Sequence, residues 1–310
     1  MEYMKKDNLI TIVGPTAVGK TELTLQLAEA LNSPVISGDA YQVYRGFSIG
    51  TAKPSPEELN RVKHYLIDIL DPSEGYSAAD FQREAGLLIR QLNEQKQTPV
   101  LSGGTGFYVQ SLLEQYHFSA EPPNQELREQ LDKLYAGKGL AGLLEYGREL
   151  AKKGGIELQF EDKHRLYRAI ELMAKGNYEA LTRQTKDGLS YEGPVIGLSR
   201  SREELYERIN RRVDAMVKQG LFEEVESLLA AGIEPSCQAF KGIGYKESAA
   251  YIEGTMSREA AIEMIKQNSR RFAKRQLTWY RRMPYIRWIN IDSSTHSDDI
   301  YRQVMELVKQ

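Results

Sequence analysis

Residues 10–31 read ITIVGPTAVGKTELTLQLAEAL. A short β-branched apolar run, a glycine-bounded turn and a stretch with apolar residues at helical spacing follow one another. Positions 14–21, GPTAVGKT, match the pattern G-x-x-x-x-G-K-T. A strand that feeds such a turn into a helix is the context a phosphate loop requires. Gly14 and Gly19 let the backbone wrap a diphosphate, and Pro15, Thr16, Ala17 and Val18 complete the wrap. The N–H groups and dipole at the helix start favour an anion. Lys20 brings an ammonium to the phosphate oxygens, and the Thr21 hydroxyl is a candidate ligand for Mg²⁺. The loop says that a diphosphate is held, not which of its atoms reacts.

Working outward, PVISGD, HYLIDIL and TPVLSGG read as further apolar strands, with a helix predicted over 77–95. Strands apolar on both faces and separated by helices predict a parallel sheet covered on both sides. The character changes near Tyr116, where a proline-marked linker leads into helices up to about Gln184. VIGLS then reads as a strand that rejoins the sheet, helices run to Arg282, and YIRWINID is predicted as a last strand before a closing helix. The expected architecture is α/β. Residues 1–117 and 194–310 form a core like that of P-loop NTPases, with a helix-rich C-terminal part, and 118–193 form a helical insertion.

Composition narrows the class. With 41% hydrophobic and 27% charged residues, the chain is expected to fold rather than stay disordered. No apolar run approaches the ~18 residues of a membrane span, and the first residues lack the apolar centre of a secretory signal. A lone cysteine, Cys237, excludes an internal disulfide and any cysteine-only zinc site. A cytoplasmic enzyme is expected; a monomer without an obligate protein partner is the working expectation. The net charge of −2 conceals an asymmetry: residues 266–287 carry eight Lys or Arg and no acid, so the remainder sits near −10.

No N-K-x-D guanine-reading motif follows the loop, and no apolar run ends in Asp-Glu, which leaves kinase and group transferase as readings. Two more strand ends carry chemistry. Asp39 closes ISGD, at the edge where open α/β sheets bind ligands, and is a candidate general base; a helix N-cap and a partner of a bound magnesium are its plainer readings. Thr105, in LSGGTGFY, is placed to turn a hydroxyl to the same ligand.

Taken in order, GPTAVGKT, GDAYQVYRGFSIGTAKP, DPSEGYSAADF, SGGTGFY, KGIGYKE and AKRQLTWYRR resemble the bacterial tRNA dimethylallyltransferase family over residues 10–290. The resemblance implies that the loop holds dimethylallyl diphosphate, and that the five-carbon unit passes to the exocyclic amine of the adenosine just 3′ of the tRNA anticodon. The diphosphate would then be the leaving group. By the same resemblance Asp39 is the base, Thr105 lies near the reacting amine, and Arg212 is the catalytic arginine, with Arg211 the alternative one residue away. Lys20, Arg212 and Mg²⁺ would stabilise charge on the departing diphosphate.

The family's contacts to the anticodon stem-loop map onto Asp39, Ala40, Tyr41 and Gln42, onto Thr105, and onto Arg128 in the insertion. They continue through Lys163, His164, Arg165, Leu166 and Tyr167, then Lys241, Gly242, Ile243, Gly244, Tyr245 and Lys246. The last segment is Lys274, Arg275, Gln276, Leu277, Thr278, Trp279, Tyr280 and Arg281. His164 and Ala40 depart from the family's usual residues. As a helix over 266–283, the basic run sets 270, 274 and 281 on one face with 271, 275 and 282 beside them. Without an acid nearby, intrahelical pairing does not explain them, and phosphate contact does. Phe272 and Trp279 read as core aromatics. A small-molecule kinase, or a transferase acting on free adenine nucleotides, would explain the loop but leave the basic helix idle. A non-catalytic RNA-binding module would leave the loop idle.

Overall fold

The computed structural model describes residues 6–119, 124–158, 162–182, 188–292 and 294–309. The chain begins with β1 (Ile10–Val13), α1 (Lys20–Ala30), β2 (Val35–Gly38), α2 (Pro56–Arg61), β3 (His64–Tyr65), α3 (Ala78–Glu94), β4 (Val100–Gly103) and α4 (Gly106–Leu113). It continues through α5 (Gln125–Lys153), α6 (Lys163–Ala174), α7 (Glu179–Thr182), β5 (Val195–Ser199), α8 (Arg202–Lys218) and α9 (Leu221–Ala230). A 3₁₀ turn (Ala239–Lys241), α10 (Tyr245–Ile252), α11 (Arg258–Tyr280), β6 (Ile286–Asn290) and α12 (Ser297–Val308) complete it.

All strand pairings are parallel, in the order β3-β2-β4-β1-β5-β6. β1 and β2 are buried along their whole length, as a sheet covered on both faces demands. Ile12, Leu25, Leu27, Ile196 and Leu198 join Ile300 and Val304 of α12 in one core. Each such side chain contributes on the order of 1.5–3 kcal/mol when withdrawn from water. The register positions the site: Val13 pairs with Gly103 and Gly38 with Gly103, so Gly14, Gly104 and Asp39 leave the sheet side by side. The carboxyl ends of three neighbouring strands thus open onto one crevice.

Local signals set the helix starts. Ser77 and Asp80 exchange side-chain to backbone bonds of 3.2 and 3.1 Å in a capping box that opens α3. HYLIDIL yields only the two residues of β3, because Leu66 and Asp68 take φ of 61° and 53° and turn the chain out of the ladder. The basic helix also differs from its expected bounds. α11 starts at the Ser257 cap and ends at Tyr280, so it includes Glu259 and Glu263. Arg270 pairs with Glu263 at 3.0 Å, which corrects the view that no acid on this helix serves the run.

Contacts divide the chain into two units, Met1–Gln115 with Gly188–Gln310, and Tyr116–Asp187; the sequence reading put these limits at 118 and 193. The second unit has its own core of Leu131, Leu143, Leu166, Ile170 and Met173. α5 is broken at Gly139, where φ is 62° and ψ −156°. Pro122 and Pro123 of the proline-marked linker, and Gln184 at the expected helix end, lie outside the described residues.

Candidate active site

The phosphate loop connects β1 to α1 without a residue to spare. Gly14 adopts φ +152°, and a Cβ there would lie 2.7 Å from the Leu198 carbonyl oxygen, so a side chain is excluded. Gly19, at φ +113°, takes the N-cap position of α1 with no side-chain cap. The first amides of that helix therefore remain for an external anion. Lys20 Nζ lies inside the loop and donates to the carbonyls of Gly14 (2.8 Å) and Pro15 (2.9 Å). The residue as a whole is half-buried, but its ammonium end is enclosed. Burial, and then Arg212, push its pKa down to about 7, with Asp39 acting in the opposite sense. An arriving anion would restore the charged form.

Asp39 and Thr105 form the facing wall. Asp39 Oδ1 accepts the Tyr41 N–H at 2.9 Å, a turn rather than a helix cap. Burial raises the Asp39 pKa, opposed by the backbone N–H groups of Tyr41 and Gln42 and by the charges of Lys20 and Arg212. A Cβ on Gly104 would stand 2.9 Å from Asp39 Oδ2, so the approach of β4's end to this carboxylate needs glycine. Thr105 Oγ1 accepts the Ala40 N–H at 3.0 Å and keeps its own O–H for another acceptor.

The two arginines of ERINRRVDAM are distinguished by position. Arg212 Nη1 donates to Thr16 Oγ1 at 3.1 Å, inside the same cavity as Asp39. Arg211 points away, with a side chain 68% exposed and paired to Glu207 at 3.2 Å. Gln276 accepts the Thr16 N–H at 2.9 Å and donates to the Gly104 carbonyl at 2.6 Å, so it ties the phosphate loop to the opposite wall. Thr16, Lys20, Thr21, Asp39, Thr105, Arg212 and Gln276 line one cavity of about 360 Å³. Lys20, Arg212 and the Asp39 carboxylate share it, near enough for their charges to act on one another.

Other expected residues scatter around this cavity. Tyr41, Gln42, Lys241, Gly242, Ile243, Tyr245, Lys246 and Arg275 also line it. Ala40 and Gly244 support its walls without lining it, and Gln42 Nε2 is committed to the carbonyls of Thr51 and Ala52 at 3.3 and 3.2 Å. Lys274, Thr278 and Arg281 are exposed on or just beyond α11. Gln276 and Tyr280 instead point inward, Leu277 packs on the main core, and Trp279 is half-buried where a Cβ on Gly106 would meet its ring at 2.6 Å. In the second unit His164 and Arg165 are exposed, while Leu166 and Tyr167 belong to the core. Lys163 sits 4.2 Å over the Tyr135 ring and 3.3 Å from Asp132. Arg128 is engaged by the buried Glu171 at 2.7 Å rather than standing free.

Glu224 escapes the sequence reading altogether. Its carboxylate accepts the N–H groups of Ser48, Ile49 and Gly50 at 3.2, 2.9 and 3.4 Å and the Tyr245 hydroxyl at 2.7 Å. It therefore fixes the loop after Asp39 to α10. The only outward sign is Gly50, whose missing side chain admits the Tyr245 ring to 2.5 Å from the Cβ position. Replacing Glu224 with Ala is expected to cost about 1–3 kcal/mol of stability for each donor left buried and unmade. Hydrogen exchange at the amides of residues 48–50 should accelerate; unchanged protection would show that something else anchors the loop.

Against this geometry, comparison with known proteins is decisive. The IPP transferase family profile matches residues 42–283. A tRNA dimethylallyltransferase of Streptococcus gordonii is 45% identical over 308 residues, 98% of either chain. The chain belongs to the IPP transferase family. It is a prenyltransferase enzyme by that membership. The crystal structure of a full-length tRNA isopentenylpyrophosphate transferase from Bacillus halodurans superposes with a TM-score of 0.72 at 39% identity, covering 98% of this chain and 97% of the other. A eukaryotic dimethylallyltransferase acting on tRNA gives a TM-score of 0.77 at 26% identity, over 96% of this chain and 78% of that one. The profile match spans Thr105, Arg212 and Gln276, and the longer alignments extend across the phosphate loop and Asp39. Among the described residues no helix is long and apolar enough to cross a membrane.

Proposed function

We propose that the cavity joins dimethylallyl diphosphate to a tRNA adenosine, the one on the 3′ side of the anticodon. The diphosphate rests on the amides at the start of α1, with Lys20 and Arg212 against its oxygens. The adenine amine enters from the wall of Asp39 and Thr105. As the allylic C–O bond breaks, positive charge builds on carbon and negative charge on the leaving diphosphate. The amine nitrogen forms the new C–N bond, and its proton passes to the Asp39 carboxylate. Diphosphate departs with the electron pair of the broken bond. The observation that carries this reading is the enclosure of Asp39 with Lys20 and Arg212 in one cavity.

Magnesium suits the donors present. Mg²⁺ keeps most of its waters and takes few protein oxygens beside substrate phosphates. The described residues hold no group of three or more His, Cys, Asp or Glu, and the Thr21 hydroxyl lines the cavity at the phosphate end. Bound there with the substrate, the ion would neutralise charge on the departing diphosphate. To bring a stacked base to Asp39, the enzyme extrudes it from the anticodon loop. Arg271, Lys274, Arg275, Arg281 and Arg282 are exposed and have no ion pair among the described residues, which suits contact with phosphates.

Incubation with dimethylallyl diphosphate, Mg²⁺ and unmodified tRNA, followed by mass spectrometry of the nucleosides, tests the reading: an adenosine heavier by one five-carbon unit is expected. Unmodified tRNA, together with stronger thermal stabilisation by ATP–Mg than by the isoprenoid, would favour a kinase instead. Replacing Lys274 and Arg275 together with Ala is expected to weaken tRNA binding and to reduce its salt slope by up to ~2, at roughly 0.9 per duplex phosphate contact. A slope that does not move would return these residues to a merely solvated role.

A further inference from the structure

Arg212 is not alone in reaching the phosphate loop. Arg200, Glu204, Arg208 and Arg212 recur every four residues, a stripe that continues from the residues before α8 along one side of that helix. Three of them meet successive loop residues in reverse order. Arg212 Nη1 donates to the Thr16 hydroxyl oxygen at 3.1 Å, Arg208 Nε to the Ala17 carbonyl at 2.8 Å, and Arg200 Nε to the Val18 carbonyl at 3.0 Å. Only Arg212 lines the cavity. The other two hold the loop from outside.

A trans peptide points its C=O and N–H in opposite directions, and no cis bond occurs among the described residues. A carbonyl pinned outward therefore turns the following N–H inward. Arg200 fixes the peptide that ends in the Gly19 N–H, and no partner among the described residues takes that donor. Arg208 fixes the preceding peptide, whose Val18 N–H makes only a long 3.4 Å contact with the Pro15 carbonyl. The backbone leading into the first of these peptides is strained, with Ala17 at φ +62° although it is not glycine. A left-handed alanine costs about 1–2 kcal/mol, so an unpinned loop would relax away from this shape. Arg200 is well placed to resist that, with a side chain only 12% exposed and its guanidinium 4.0 Å from where a Gly19 Cβ would be.

We propose that Arg200 and Arg208 are positioning residues for the diphosphate, which fix the peptide planes on either side of Val18 so that the loop amides face the anion before it arrives. This rests on the reading of the loop as a diphosphate site. Neither residue touches the ligand; both preorganise the groups that do.

Calorimetric titration of the full chain with inorganic diphosphate and Mg²⁺ tests this apart from the prenyl transfer. Arg200→Met and Arg208→Gln are each expected to weaken diphosphate about tenfold, the worth of one hydrogen bond from an ionised donor. tRNA affinity should stay within about twofold, and kcat/KM for the isoprenoid should fall more than kcat. The loss should persist in 0.5 M KCl, since a purely long-range charge effect is screened there. Arg208→Lys, which keeps a donor, should recover part of the affinity. Variants that melt earlier yet bind diphosphate as the parent does would overturn the proposal, as would a loss abolished by salt. A parent chain that ignores diphosphate would instead overturn the reading of the loop itself.

Discussion

Asp39→Asn should lower turnover by about 10²–10⁴-fold, the usual contribution of a positioned general base, while tRNA affinity changes little. The adenine amine is a weak nucleophile because its lone pair is delocalised into the ring, so removing its proton during attack matters. The amide oxygen of Asn can still accept the Tyr41 N–H that orients Asp39 at 2.9 Å, so the turn should survive the change. What disappears is the capacity to take a proton. The pH profile gives an independent reading. Burial raises the Asp39 pKa above that of an ordinary carboxylate, and the base must be ionised to work. The rate should therefore fall as pH drops through that raised value, at a higher pH than an exposed aspartate would give, and the acid limb should vanish in Asp39→Asn. A variant that turns over at the parent rate would remove Asp39 from the mechanism.

The second large effect separates two neighbours. Arg212→Ala should lower kcat by about 10²–10³-fold, the scale seen when one donor to developing negative charge is lost. Arg211→Ala should leave kcat within about twofold. The contrast follows from environment. Arg212 is enclosed beside Thr16 and Asp39, and burial lowers its pKa, partly offset by the Asp39 charge. Arg211 holds an exposed i,i+4 pair with Glu207, a contact worth about 0.3–0.5 kcal/mol. Equal losses in the two variants would mean that α8 acts only through its fold.

Much of this centre was legible because its parts are local. A strand, a glycine turn and a lysine in sequence define the phosphate loop, and Asp39 and Thr105 each follow a strand end. The strand register then makes them neighbours, since Gly103 pairs with both Val13 and Gly38. The groups that hold these parts in place carry no such mark. Gln276 meets Thr16 across 260 residues and Glu224 meets Ile49 across 175; the resemblance gives Gln276 only as a tRNA contact, and apart from it either would pass for an ordinary polar residue on a helix. The basic run was misjudged for a related reason. Its charges drew the boundary at 266, whereas the Ser257 cap starts α11 earlier and supplies Glu263 to Arg270. Short strands suffered from backbone detail: the apolar pattern of HYLIDIL does not reveal that Leu66 and Asp68 are left-handed.

The ties made by Glu224 and Gln276 bear on how the protein matures. During synthesis the cradle sequence and the five strands through Ser199 emerge first, but the amides of 48–50 and 16 find their acceptors only in residues 224 and 276. A nascent chain halted before α11 would own a phosphate grip with an unfinished opposite side. The site is thus complete only once residue 276 has been made, when nearly the whole polypeptide has left the ribosome.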